Sequence, residues 1–562
     1  MPEPSESVTE TTRPRAGEGS VGDSEPPGDA TTVEEAPQDV SRDALAGSPW
    51  KRVDFGVAAA VTAATMLVAW VFRSEIISSD PWHYVMAAIQ FPQHSWVPLG
   101  YTRYGMILPL APLVLAFGHA PATFYLPAII ASGVLAGCVY LVGRRWWGHV
   151  AGIAAVVLLL SNWIVFTTLS RYYPDIPSMA LVMAALAVAV AARGRMLANA
   201  RWAGLLVIVA GFLLGWSFET RETALFAWPA VVAVLWVRGR VVRNALLTAA
   251  PVLLWAVVDV AIGALAYGDP LLKLHTFTRQ DLSTTKNPAD VAVMDQFVGL
   301  PRVDYLTMIP RLVLERHVPG GVWFLVLAAI AALAIFVRNA AVRVSAAGLL
   351  VSYLLFVGIS GFFIPSHPAG RLDVERYWIQ FVPWIALAVS GALAVLVRSV
   401  LVRAVPAAGR PRAQQLAVAA VALLVAVLPA VSVARAASAA PTLATNGGTP
   451  LAGVSAELSR LRLPEQATVY TDWQTARVLP IYQRPWFGGS KRWYAGVRSI
   501  TGKRQPGAGD YALLVTATAD ATPCGFCTGA LAPWRKRHPS LPSKWTKVYA
   551  SANEGYVLYA VR

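Results

Sequence analysis

Between residues 50 and 433 the chain alternates long apolar runs with short polar joints. The runs fall at roughly 54–72, 122–143, 150–169, 177–192, 203–218, 223–237, 244–266, 320–337, 343–363, 378–397 and 414–433. Most hold about 17–25 residues, enough for a helix to cross some 30 Å of hydrocarbon. A twelfth run, MILPLAPLVLAF at 106–117, is short and carries two prolines. After residue 433 the pattern changes. TVYTDWQTARVLPIY, YALLVTATA and GYVLYAVR read as short strands between Gly- and Pro-containing turns. The pattern predicts an α-helical polytopic membrane protein of about eleven transmembrane helices. A juxtamembrane helix is expected in the first outer loop, and a small α/β domain at the C-terminus.

Charge decides whether 106–117 crosses. If it does not, Lys51-Arg52, Arg144-Arg145, Arg193/Arg195, Arg238/Arg240/Arg243, Arg338/Arg343 and Arg398/Arg403/Arg410/Arg412 all fall on one side. Basic loops stay in the cytoplasm, so that side is the inner one. If it did cross, every later cluster would part from Lys51-Arg52. The run is therefore expected to lie at the interface or to re-enter. The expected layout is a cytoplasmic acidic tail (1–49), a membrane domain (50–433) and an extracytoplasmic domain (434–562), in a plasma-membrane protein.

Composition agrees with this layout. The chain is 56% hydrophobic and 14% charged, where a soluble protein carries about 25% charged residues. Its net charge of +15 belongs to loop topology, and no base-stacking module accompanies it, so no nucleic-acid partner is expected. The first 49 residues carry eleven acids and three arginines, and read as a disordered tail. The chain does not open with a basic start and a short apolar core, so no cleaved leader is expected. Of the three cysteines, Cys138 lies in a span, while Cys524 and Cys527 form PCGFC in the outer domain. A local disulfide is expected there.

The chemistry gathers at the outer mouths of the spans. Asp80, Arg103, Arg171, Asp175, Arg221, Glu222, Arg371, Asp373, Glu375 and Arg376 all fall there. Charges at membrane depth are costly and either pair or line a polar cavity. Pairing would join Arg171 to Asp175, Arg221 to Glu222 and Arg376 to Asp373. Helix capping would account for Asp80 before Pro81 and for Asp175 before Pro177. The surplus of arginine among tyrosines and tryptophans points instead to a bound anion. His83 could join Asp80 on a metal or simply pack at the interface. The sequence has no HxxxH or HExxH spacing, so no metal site or other cofactor is expected. The stretch 267–281, with Lys273, His275 and Arg279, fits either a flap over the site or a solvated loop; His275 and His367 could touch acceptor or phosphate.

Four stretches resemble one family. SDPWHY after the first span, SRYYPDIPSMAL, FETRETALFAWP and RLDVERYWIQFVPWIAL are similar to motifs of the GT-C superfamily of polyprenyl-phosphate-sugar glycosyltransferases. The protein O-mannosyltransferase and lipid-modifying branches are the nearest. Pro81 stands where members often have a second acid, and PLGYTRYGMILPLAP lacks the usual histidine- or lysine-proline start. The resemblance implies a GT-C-like fold and a polyprenyl-phosphate sugar donor whose sugar passes to an acceptor hydroxyl outside the membrane with inversion. It implies that Asp80 is the base and that Asp175 orients the base, an arginine or the sugar hydroxyls. Arg103, Arg171, Arg221 and Arg376 would meet the donor phosphate. His83, Tyr84, Tyr172, Glu222, Lys273, Arg371 and Tyr377 would be further substrate contacts. The implied partners are the donor, a lipid, glycan or protein acceptor, and membrane lipids. A transporter of lipid-linked sugars and a non-catalytic envelope scaffold are the rival readings. No internal repeat favours the former, and the latter needs no acid at both Asp80 and Asp175.

Overall fold

The computed structural model describes residues 43–91, 103–275, 297–366, 368, 371–404, 410–440, 442–444, 448–500, 505–516, 525–551 and 554–562. It is mostly helical. Eight helices are long and apolar enough to cross a membrane: Arg52–Val71, Pro121–Trp147, Asp175–Leu197, Ala203–Thr220, Val241–Tyr267, Ala340–Phe362, Glu375–Val400 and Gln415–Ala439. Three other expected spans correspond to the shorter apolar helices His149–Leu160, Glu222–Leu235 and Gly321–Phe336. Two of them are interrupted by identifiable features. Ser161 and Asn162 interrupt the first, and Asn162 caps a new helix, Trp163–Thr168, by accepting from Ile164 and Val165. The second opens as a 3₁₀ turn over Glu222–Ala227 before Pro229 starts the α-helix Trp228–Leu235.

The run at 106–117 lies within Tyr104–Phe117 and is broken into three pieces around Pro109 and Pro112. Proline lacks the N–H and clashes with the preceding turn. At 1.5 Å per residue the whole piece is about 21 Å long, short of the hydrocarbon thickness.

Burial sorts the helices. The core of Asp175–Leu197 is 78% buried, whereas the corresponding part of Val241–Tyr267 is 6% buried. The central helix has buried Ala180, Ala185, Ala187, Ala189 and Ala192, small side chains that let neighbouring backbones approach without help from water. The outlying one exposes Leu246, Leu253, Val257 and Leu265, a lipid-facing surface.

Gly348, on the helix Ala340–Val357, faces Trp384 of Val382–Ala404. A Cβ at Gly348 would lie 2.6 Å from Trp384 Cε3, and that fully buried ring has no room to retreat. Gly348→Ala is expected to cost about 1–3 kcal/mol and to lower the unfolding midpoint in detergent. Gly56→Ala, which meets nothing within 4 Å, should leave the midpoint unchanged.

The basic clusters of four joints meet at one end of the bundle. Arg144 Nε pairs with Asp54 at 2.9 Å, Arg193 Nη2 with Asp43 at 2.6 Å, and Arg145 Nε donates to the Ala46 carbonyl at 2.7 Å. Arg193 also donates to the Trp236 carbonyl, and Arg240 to Asn199.

At the opposite end sits the small domain. Its five strands are β1 (Thr468–Thr471), β2 (Gly496–Ser499), β3 (Tyr511–Val515), β4 (Trp545–Ala550) and β5 (Tyr556–Val561), in the order β2-β1-β3-β5-β4. β1 is parallel to β2 and β3, and β5 is antiparallel to β3 and β4. The expected strand at 468–482 ends early because Asp472 caps the helix Trp473–Val478. The domain is sewn to the membrane part by backbone: Glu75 N–H donates to Thr442 at 2.8 Å and Ala444 N–H to Arg73 at 2.8 Å. Cys527 is disulfide-bonded and Cys138 is free; Cys524, the expected partner of Cys527, lies outside the described residues.

Candidate functional site

The helix Asp80–Gln90 starts at the DP pair, with Pro81 in its first turn and no side-chain cap from Ser79. The Asp80 carboxylate points elsewhere. Its Oδ2 accepts from Arg376 Nη2 at 2.5 Å, across 296 positions of chain. The Arg376 guanidinium lies 4.1 Å from the Tyr173 ring centre and 5.3 Å from that of Tyr377. Arg221 lies 4.1 Å from Tyr377 and forms an ion pair with Asp175, at the start of Asp175–Leu197. Tyr377 therefore carries both guanidiniums, and two acid–arginine pairs drawn from four separate stretches of chain meet around it.

A second row stands beside the first. Arg103 donates to the Tyr84 hydroxyl at 2.6 Å and to Glu222 Oε2 at 3.1 Å. Lys273 Nζ lies 2.5 Å from Glu219 and 3.8 Å from Asp259. Arg371 holds Asp373 at 2.7 Å. The local pairs that the alternative reading of the sequence would have joined are not formed. Asp175 takes Arg221 rather than Arg171, Glu222 takes Arg103, and Arg376 takes Asp80. The reason is geometric: sequence neighbours at a helix start leave the backbone in different directions, so partners come from other loops. Capping is likewise replaced, since Asp80 and Asp175 both spend their carboxylates on arginines. His367 and Arg279 lie outside the described residues, and His275 accompanies Asp269 at 2.8 Å.

Electrostatics follow from this packing. Burial pushes the Asp80 carboxyl up, but Arg376 and Arg103 outweigh it and hold the group below the usual carboxylate range. Burial lowers His83, helped by Arg477 and opposed by Asp80. Asp80 is ionised and His83 neutral near pH 7. Arg171 Nε, Asp175 Oδ2 and Arg376 Nε are buried without hydrogen-bond partners. Buried polar atoms are nearly always bonded, so three orphans within these motifs mark a place built for another polar group. Among the described residues no three of His, Cys, Asp and Glu gather in a way that could hold a metal ion.

Arg171 occupies the far wall. A small cavity is lined by Ser74, Glu75, Pro81, Tyr125, Ser170, Arg171 and Tyr172, and the Tyr172 hydroxyl donates to the Met106 carbonyl at 2.9 Å. Glu75, five residues before Asp80, was not singled out from sequence. Only 1% exposed, it accepts from the Leu451 N–H at 2.8 Å and the Tyr482 hydroxyl at 2.6 Å. Tyr482 in turn meets Tyr125 Oη at 2.9 Å. The available signal was an acid in SEIISSD directly after a span.

Glu75→Ala leaves the buried Leu451 N–H unmatched, worth about 1–3 kcal/mol, and takes an acceptor from the Tyr482 hydroxyl. It should speed proteolytic release of the C-terminal domain. Burial raises the Glu75 carboxyl above its ordinary range, against the bonds from Leu451 and Tyr482. A raised carboxyl favours the protonated folded form. Its stabilisation is therefore complete below the ordinary carboxyl pKa and fades as pH rises through the raised one. Domain release should accordingly quicken with rising pH in the native protein, and this dependence should vanish in Glu75→Gln.

Residues 110–262 match the family described as dolichyl-phosphate-mannose-protein mannosyltransferase. No curated protein matches the sequence significantly. Among solved structures, ArnT from Cupriavidus metallidurans bound to undecaprenyl phosphate is 12% identical with a TM-score of 0.49, covering 90% of this chain and 97% of that one. The same protein in its apo state is 11% identical with a TM-score of 0.46, covering 90% and 98%. The apo Archaeoglobus fulgidus oligosaccharyltransferase is 13% identical with a TM-score of 0.40, covering 77% and 64%. Likenesses at these scores carry no weight for function. The family match spans the second and third motifs, supports the resemblance to the GT-C superfamily, and with the apolar helices supports a multi-pass membrane glycosyltransferase that uses lipid-linked donors.

Proposed function

We propose that this chain moves a sugar from a polyprenyl-phosphate donor to an acceptor hydroxyl at the extracytoplasmic face of the plasma membrane, with inversion. One observation carries the reading: Asp80–Arg376 and Asp175–Arg221 converge on Tyr377, with unpartnered polar atoms on Asp175 and Arg376. A lipid phosphate brings oxygens for such arginines, and an arginine fork suits it better than a lysine.

In this scheme the acceptor oxygen attacks the anomeric carbon while the bond from that carbon to the phosphate oxygen breaks. The polyprenyl phosphate leaves with the electron pair, and the hydroxyl proton goes to Asp80. A phosphate is a competent leaving group and needs no acid. What it needs is cations placed where charge grows, the role of Arg376 and Arg221, with Arg103 behind them. Arg376 also keeps Asp80 ionised; drawn toward the donor phosphate, it frees the carboxylate to act as base. Asp175 fixes Arg221 and keeps one oxygen for the sugar. Arg171 would meet the phosphate from the other wall, and Lys273 and Arg371 would stand at the approach.

The test is a purified, reconstituted protein given a polyprenyl-phosphate donor with labelled sugar and an envelope-glycan acceptor fraction. Transfer of label to the acceptor supports the reading; label that crosses the bilayer still attached to its lipid marks a transporter and overturns it. Sidedness has its own check. A cysteine at exposed Ser540 should react with an impermeant reagent on intact cells, and one at exposed Ala198 should not; the reverse pattern overturns the proposed face.

A further inference from the structure

The short helix Trp473–Val478 of the C-terminal domain reaches the helix that begins at Asp80 through Arg477. Its Arg477 guanidinium is 4.7 Å from the ring centre of Trp473, one turn earlier, and 5.3 Å from that of Trp82 on the other helix. Trp82 is 9% exposed and serves as the floor, while Trp473 is 44% exposed and offers an open indole face. His83 packs edge-on to Trp82 at 5.1 Å. The mount is rigid, because Asp472, next after β1, accepts from the N–H groups of Gln474 and Thr475 at 2.9 Å each.

Arg477 is held by two indoles, and among the described residues no ion pair neutralises it. A guanidinium stacked on rings keeps its N–H edge free for a planar or tetrahedral anion, and it sheds water more readily than an ammonium. An exposed indole is a broad apolar face with a polar rim, suited to the C–H face of a pyranose ring. Arg477 reaches the rim of the site through the Trp82 ring, two residues after Asp80 along the chain, and next to His83.

We propose that Trp473, Arg477 and Trp82 form the acceptor shelf, and that the acceptor is an anionic glycan. Its pyranose ring packs on Trp473, its phosphate or carboxylate pairs with Arg477, and a nearby hydroxyl is thereby presented to Asp80. This rests on the transferase reading and adds to it the acceptor class and a role for the C-terminal domain. Trp473 and Arg477 are specificity-determining residues: they act on acceptor binding and leave the donor phosphate to the arginines around Tyr377.

The experiment is saturation-transfer NMR on the full-length purified protein. Glucose 6-phosphate and glucuronate are the two acidic probes, glucose is the uncharged control, and polyprenyl monophosphate binding is measured in the same samples. At least one acidic probe should bind in clear preference to glucose; which one tells whether the anion is phosphate or carboxylate. Arg477→Ala and Trp473→Ala should weaken that binding about tenfold or more, the size of a lost charge-assisted hydrogen bond. Arg477→Lys should restore part of it, and polyprenyl monophosphate should bind all three variants as it binds the native protein. If a variant also loses polyprenyl monophosphate, its fold is damaged and Arg477→Gln decides: weakened acidic-probe binding with intact polyprenyl monophosphate binding supports the shelf. Acidic probes that bind the variants like the native protein, or bind the native protein no better than glucose, overturn it. A native protein that does not bind polyprenyl monophosphate overturns the transferase reading, and the shelf with it.

Discussion

Asp80→Asn is expected to lower kcat for sugar transfer by about 10²–10⁴-fold, the share a well-placed general base contributes. Asparagine keeps the size of the side chain and an oxygen that can accept from Arg376, which bonds the native carboxylate at 2.5 Å. Donor affinity should therefore stay within a few-fold, and the loss should appear equally in kcat and kcat/KM, the signature of an interaction used in the transition state. Arg376 and Arg103 hold the carboxyl below the usual range against burial. The acidic limb of the native pH–rate profile should accordingly lie below the ordinary carboxylate pKa and be absent from Asp80→Asn. Steady-state kinetics across pH measures both points, and an unchanged kcat in Asp80→Asn would remove Asp80 from the chemistry.

The arginines give the second large effect. Arg376→Ala and Arg221→Ala should each reduce transfer by roughly tenfold to over a hundredfold, matching one or two charge-assisted hydrogen bonds of about 1.5–3 kcal/mol. Because both guanidiniums lie against Tyr377, their losses should be non-additive in the double variant. Arg171 lines the cavity beside Glu75 and would meet the same phosphate from the other wall, so Arg171→Ala should likewise combine non-additively with either. Arg221→Ala also strands buried Asp175, which is 3% exposed, and breaking such a pair costs about 3–5 kcal/mol of stability. Arg221→Lys keeps the charge and separates the two effects. It should recover the unfolding midpoint while recovering only part of the rate, since lysine lacks the bidentate fork. Full recovery of rate by lysine would make Arg221 a structural ion partner alone.

Much of this architecture was legible because a bilayer enforces simple rules. Apolar runs long enough to cross became helices, and Pro109 and Pro112 mark the places where Tyr104–Phe117 breaks into short pieces. The end where Arg144, Arg193 and Arg240 meet was readable from loop charge alone. Pairing within the site was not legible, because Asp80 and Arg376 are 296 positions apart and nothing local says which arginine reaches which acid. Local pairing, the alternative to a bound anion, gave way to partners from other loops at Asp175, Glu222 and Arg376. The stacking roles of Tyr173 and Tyr377 were hidden for the same reason, since interfacial aromatics are common in any membrane protein. In the small domain, β2 (GVRS) is too short and too exposed to show alternation, and TVYTDWQ hid a helix cap inside an apparent strand. Glu75 escaped notice because its partners, Leu451 and Tyr482, come from a domain nearly four hundred residues away.

The central claim is that the outer arginine–acid cluster cleaves a sugar from a lipid phosphate. The most direct measurement is ³¹P NMR of purified protein mixed with a synthetic polyprenyl-phosphate sugar and acceptor extract. Conversion of the phosphodiester signal to that of polyprenyl monophosphate, present with the native protein and absent with Asp80→Asn, is the expected result. A phosphodiester signal that persists unchanged while the protein still binds the donor would contradict the account.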